Sequence, residues 1–263
     1  MLFGWLRDRR RAILRGRPFP DAWEPHLERN VRQDRWLSAP ERLRLRGWIA
    51  VFLHEKRFEG CGGLAITDEI RVTVAAQAGL VTLGLPEEHF DRLRSVLVYP
   101  GDYVVPRSTP LEGGGELEWR EPRQGETWGG GSMVLSWRSV VDGGRMRDGP
   151  RNVVIHECAH LRDLADGEID GVPPLDPAVR RTWLEAMAGC QARFEAALDE
   201  GRVTAFDDYA AEGPAEFFAV ASECFFQHPH RLLRIDETLY RLLSEAWRQD
   251  PRTRVPPREL RDR

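Results

Sequence analysis

The run His156-Glu157-Cys158-Ala159-His160 is the part of the sequence best equipped for chemistry. On a helix, residues i and i+4 lie one above the other on one face, so the two imidazoles can share one metal ion. Glu157 stands one residue on, beside that ion, where it can take a proton from a bound water. Zinc accepts nitrogen ligands, keeps an open position in catalytic sites and brings the pKa of a bound water down towards about 7. The setting opposes a chance pattern on a solvated helix face. Val153, Val154 and Ile155 precede the run, and Leu161 and Leu164 follow it. Charged groups on an apolar helix are costly to bury without a purpose. The spacing therefore implies zinc-assisted peptide hydrolysis, with one zinc ion per chain and Glu157 as general base. Cys158, inside the run, is expected to pack as a small apolar side chain.

Two histidines call for a third protein ligand, usually His, Asp or Glu. The stretch Pro214 to Glu223 offers Glu216 and Glu223 among Phe217, Phe218, Val220, Phe225 and Phe226. Seven residues apart, the two glutamates share a helix face but lie about 10 Å apart along its axis. One of them can ligate while the other holds a histidine ring from behind. The residues alone leave open which does which.

Several elements must position these groups. Residues 20 to 60 read as largely helical, with a helix start near Ala39 where Ser38 precedes Pro40. Gly60, Gly62 and Gly63 break that pattern. Ile70 to Ala76 alternates and is rich in β-branched residues, although the following AAQAGL also suits a helix. Ser95 to Tyr99 reads as a strand. Residues 105 to 131 read as a long loop or exposed hairpin. Ser132 to Trp137 reads as a further strand. It is either a plain core strand or, being close in chain to the His156 helix, an edge along which Val134, Leu135, Ser136 and Trp137 hold an extended peptide. The His156 helix is expected from Pro150, with Asp148 as its cap, to Leu164. Helices follow over Arg180 to Leu198, Pro214 to Phe226 and Glu237 to Trp247, and then a frayed tail. Helices, a few strands, then helices again argue an α+β fold.

HECAHLRDLADGEIDGVPPL and DDYAAEGPAEFFAVASECFF resemble the Mlc titration factor A family of bacterial zinc peptidases. FLHEKRFEGCGGLAIT, AAQAGLVTLGL, SVLVYPGDYVV and GGGSMVLSW are similar to family blocks in the same order, so the resemblance spans most of residues 20 to 230. The catalytic part also resembles the peptidase domain of anthrax lethal factor, in which a Tyr stands seven residues before the glutamate ligand. Tyr209 stands seven before Glu216 here. The resemblance thus implies Glu216 as third ligand, Glu223 in support, and Tyr209 as a phenol that steadies the oxyanion. It also implies a zincin-like, gluzincin-type fold with a small mixed sheet and an active-site helix carrying HExxH. The implied activity is aminopeptidase-like action on short peptides. The implied alternative is a regulatory module that binds a transcriptional repressor of sugar uptake and draws it off DNA. Where family members usually carry a bulky residue, this chain has Cys158.

The bulk numbers fit a globular protein. The chain has 263 residues, 41% hydrophobic and 30% charged, with a formal net charge of -4. That balance argues against direct nucleic-acid binding. The four cysteines Cys61, Cys158, Cys190 and Cys224 form no CxxC pair and no disulfide framework. No run approaches the roughly 18 apolar residues of a membrane span, and the start lacks the order of a secretory signal, so a cytoplasmic location is expected. The expected division is a basic segment over 1–19, one peptidase domain over 20–249 with a helical part 20–60 and a catalytic part 61–249, and a tail over 250–263. The basic segment suits a short helix packed on its own domain, or an amphipathic one that touches a membrane or partner.

Overall fold

The computed structural model describes residues 2–86, 90–110, 116–123, 125–128, 131–147 and 149–257, the side chains of 2, 3 and 103–130 excepted. Ten helices and six strands are described. The helices are α1 (Leu2–Arg15), α2 (Glu24–Asn30), α3 (Ala39–Glu55), α4 (Asp68–Thr82), α5 (Trp137–Gly144), α6 (Val153–Asp163), α7 (Pro177–Asp199), α8 (Pro214–Gln227), α9 (Pro229–Ile235) and α10 (Glu237–Trp247). The strands are β1 (Arg57–Gly60), β2 (Ser95–Tyr99), β3 (Tyr103–Pro110), β4 (Glu116–Arg123), β5 (Gly125–Trp128) and β6 (Ser132–Ser136). The fold is mostly helical α+β.

One small mixed sheet runs in the order β1-β2-β6-β5, with β1, β2 and β6 parallel and β5 antiparallel to β6. A separate hairpin, β3–β4, fills part of the stretch expected as loop or hairpin. The pairing overturns the expectation that Val134 to Trp137 form a substrate edge. Val134 and Leu135 pair with Leu97 and Val98 of β2 on one side and with Glu126 and Gly125 of β5 on the other. Their backbone groups are therefore already engaged inside the sheet. Ser136 ends the strand, bonds Asp102 at 3.0 Å and caps α5. Trp137 is not in the strand at all; it is the first residue of α5.

Helix α4 is the buried axis of the domain. It packs against α2, α3, α5 and α6, and almost every residue from Ile70 to Thr82 is buried. This corrects the strand reading of Ile70 to Ala76. A helix covered on all sides has no polar stripe, so its apolar run shows no helical period. Gly79 lets α3 approach, since a Cβ there would collide with the side chains of Leu45 and Trp48.

Helix α3 begins as its sequence suggests. Ser38 is the N-cap, its backbone N–H donating to Glu41 at 2.9 Å, which closes a capping box. Helix α8 packs against α6, and its aromatic face continues into α10, where Phe218 stacks on Trp247 at 6.0 Å. The segment expected as a frayed tail is docked over 250–255: Val255 is buried, Arg254 bonds Glu41 at 3.2 Å, and Tyr240 donates to Asp250 at 2.5 Å.

Candidate metal centre

Helix α6 starts later than expected, because Asn152 is its cap. Pro150 lies outside the helix, and Asp148 lies outside the described residues. Asn152 Oδ1 accepts from the backbone N–H groups of Val154 and Ile155, each at 3.1 Å. These are two of the orphan donors of a helix start. The Asn152 amide donates onward to Gln77 of α4 at 2.8 Å, and Gln77 donates to Val140 O at 2.9 Å. The start of α6 is thus tied to the buried axis by polar groups that satisfy one another.

From that start His156 and His160 project to one side, one helical turn apart. Their Nε2 atoms are 3.1 Å apart and their rings nearly perpendicular, at 78°. Glu216, in the first turn of α8, reaches both: Oε2 is 3.2 Å from His156 Nε2, and Oε1 is 3.5 Å from His160 Nε2. One donor atom from each of the three residues falls within 4.8 Å of the others. Glu223, two turns along α8, does not join this group. Its Oε1 lies 2.9 Å from His156 Nδ1, and its other oxygen accepts from the Asn152 backbone N–H.

The arrangement fits a cation. A carboxylate only accepts, so His156 Nδ1 donates to Glu223 and His156 Nε2 presents a lone pair. That lone pair faces His160 Nε2 and the Glu216 carboxylate. Glu216 Oε2 is buried and, despite its 3.2 Å approach to the ring, has no aligned hydrogen-bond donor. Lone pairs converging in a partly buried space repel unless positive charge sits among them. The local field has that sign. Burial opposes a charged His156 ring, but the carboxylates of Glu216 and Glu223 outweigh it and push its pKa well above the ordinary histidine value. Burial likewise raises Glu216, yet the two imidazoles pull it far below the usual carboxylate range.

Glu157 is buried on the same helix, its charge near His156. Tyr209 lies in the 3-10 turn Asp208–Glu212, with its ring centroid 6.1 Å from that of His156. Asp207, just before it, bonds Arg151 at 2.8 Å, which ties this turn to the start of α6. Cys158 turns away into the core, where burial raises its thiol pKa well above normal and keeps it protonated.

Asn152 and Asp163 were not singled out in the sequence, and both position this centre. Asp163, fully buried at the end of α6, accepts from Gly171 N at 2.8 Å and Val172 N at 2.9 Å. Gly171 has φ +80° and lies so close to the Pro214 carbonyl that a Cβ there would overlap it. The Asp163 loop therefore packs against the start of α8, two residues from Glu216. The legible signal for Asn152 was an Asn directly before the apolar run Val153-Val154-Ile155. Asp163 had none, because its partners are backbone groups.

A helical α+β chain in which two imidazoles and a carboxylate converge from adjacent helices is, in class, metallopeptidase-like. Comparison with known proteins agrees. The model of a family described as glucose-regulated metallo-peptidase M90 matches residues 5–248. An uncharacterized protein of Synechocystis is 34% identical over 253 residues, covering 94% of this chain and 90% of the relative. Mlc titration factor A of Yersinia pestis, like that of Yersinia pseudotuberculosis, is 33% identical over 224 residues, covering 83% of this chain and 82% of the relative. The chain belongs to the Mlc titration factor A family of M90 metallopeptidases.

Proposed function

We propose that the chain is a zinc-dependent peptidase, aminopeptidase-like in acting on short peptides, with His156, His160 and Glu216 as metal ligands. The observation that carries this reading is the convergence of three donor atoms within 4.8 Å, beside a buried Glu157 that a purely structural site would not need. Zinc bound there supplies a Lewis acid that polarises the scissile carbonyl and makes water more acidic. Glu157 takes a proton from the attacking water and passes it to the leaving amine. Tyr209 donates a hydrogen bond to the oxygen on which negative charge develops. Glu223 holds His156 in the tautomer that presents Nε2. Of the two outer strands of the sheet, β1 and β5, it is β5 that borders α6, and pairing of an extended peptide there would fix its backbone.

The deciding experiment is hydrolysis of amino-acid-conjugated fluorogenic substrates by the purified chain. It is run untreated, after chelation, and after chelation followed by zinc. Activity lost on chelation and restored by zinc supports the proposal. Equal turnover in all three samples, or none in any, defeats it.

A second reading rests on a different observation. Relatives similar over 83% of this chain are named for titrating Mlc. We infer from that name that this chain binds a transcriptional repressor, with or without peptide hydrolysis. Retention of a repressor on the immobilised chain, tested with wild type and Glu157→Gln, separates the two activities.

A further inference from the structure

Helix α1 has one committed side and one bare side. On the committed side Arg11, almost fully buried, donates to both oxygens of Glu55 at 2.7 Å and also contacts Asp91. Arg7 donates to Asp91 at 2.6 Å, and Leu14 is buried. On the bare side Trp5, Leu6 and Ile13 are 57%, 47% and 54% exposed. At the helical 100° per residue, Trp5, Leu6, Arg9, Arg10 and Ile13 fall within an arc of about 140°, opposite Arg11. Single exposed apolar residues are ordinary, but three large ones on one face of a pinned helix mark a contact surface.

The charges on that face select what it contacts. Arg9 lies over the Trp5 ring at 5.5 Å. Arg10 and, just past the helix, Arg17 are exposed and make no ion pair among the described residues. The only acid in α1, Asp8, sits on its flank beside Arg7 at 3.7 Å. A face of one indole, two aliphatic side chains and unpaired arginines matches the layering of a bilayer interface, with apolar groups sunk below anionic headgroups. A second copy is a poor occupant. A two-fold contact through this face would set Arg9 and Arg10 against the same arginines. The chain as a whole carries a formal charge of -4, so an anionic surface repels it elsewhere and orients it α1-first.

We propose that the outer face of α1 docks the protein peripherally on an anionic phospholipid bilayer. No helix among the described residues is long and apolar enough to cross one, so attachment is by this face and is reversible. The test is co-sedimentation of the full chain with phosphatidylcholine vesicles, with and without phosphatidylglycerol. Binding is expected only to the phosphatidylglycerol vesicles and is expected to weaken as salt rises. Trp5→Ala/Ile13→Ala and Arg9→Gln/Arg10→Gln should each weaken it by about tenfold or more. Circular dichroism should stay unchanged, because these side chains are exposed. The arginine variant alters only solvated groups and decides the matter should the apolar variant prove insoluble. No binding to anionic vesicles, equal binding to both kinds, or unchanged binding by the arginine variant overturns the proposal.

Discussion

Glu223 and His156 meet edge to edge at 2.9 Å, and the same carboxylate also accepts the backbone N–H of Asn152. One buried carboxylate thus joins the orientation of a candidate ligand to the start of the helix that carries it. Asn152 adds the cap and the bond to Gln77 at 2.8 Å. Asn152→Ala should cost about 1–3 kcal/mol of stability, from the lost cap and the stranded partner. Asn152→Asp is the sharper variant. Aspartate caps as well as asparagine, but it cannot donate to Gln77 and it brings a negative charge beside Glu223. It should therefore be destabilised too, against the ordinary cap ranking. Urea denaturation of both variants checks this; wild-type stability in the aspartate variant would reduce Asn152 to a cap alone.

Glu157→Gln should retain zinc and lose about a hundred- to ten-thousandfold in turnover, the range for removing a general base. The amide is nearly isosteric, so the packing of α6 is kept. Metal content and hydrolysis are measured on the same preparation. Near-normal turnover at full metal occupancy would remove Glu157 from the chemistry.

Tyr209→Phe should lower turnover by about tenfold to a thousandfold and leave KM and fold nearly unchanged, as expected for one oxyanion donor lost. The ring is 37% exposed, so deleting its hydroxyl creates no core cavity. An unchanged rate would leave Tyr209 as a wall of the site.

How far the sequence could be read depended on whether a residue's partners were local. Helix α10 matches its expected bounds, Glu237 to Trp247, because a clean amphipathic period and Asp236 as cap are both local signals. His156 and His160 were legible because one helical turn sets their spacing. Helix α4 was ambiguous because burial on every side erased its period. The substrate-edge reading of β6 failed because a strand's place within a sheet depends on β2 and β5, which alternation along β6 cannot show. Residues 250–255 looked like a tail because Asp250, Arg254 and Val255 are anchored by Tyr240, Glu41 and His230, far away or unremarkable in sequence.

Away from the metal centre, Arg46 should be the most sensitive charged residue in the helical N-terminal part. It is buried with Asp34, to which it donates at 3.0 Å, and it also reaches Glu24 at 2.7 Å. These carboxylates raise its pKa despite the opposing effect of burial. Arg46→Met leaves Asp34 buried and unpaired, at a cost of about 3–5 kcal/mol. Arg46→Met/Asp34→Leu should recover part of that loss. Denaturant midpoints of the single and double variants test it; a double variant no more stable than the single one would mean that the pair's hydrogen bonds, not its charges, matter most.

The two glutamates of α8 remain the most informative pair to compare. Glu216 approaches both Nε2 atoms, at 3.2 and 3.5 Å, while Glu223 touches only the far side of His156. If Glu216 ligates, Glu216→Ala removes one of three protein donors and exposes the remaining two to water. Glu223→Ala keeps all three donors but frees the His156 ring to turn and to change tautomer. Loss of such an outer partner typically costs about 10- to 100-fold in metal affinity, and loss of a ligand should cost more. Zinc titration of the two variants under one buffer gives the order directly. Glu216→Ala is expected to bind more weakly than Glu223→Ala. The reverse order would move the third ligand two turns along α8, and it would leave the buried, donorless Oε2 of Glu216 without a role.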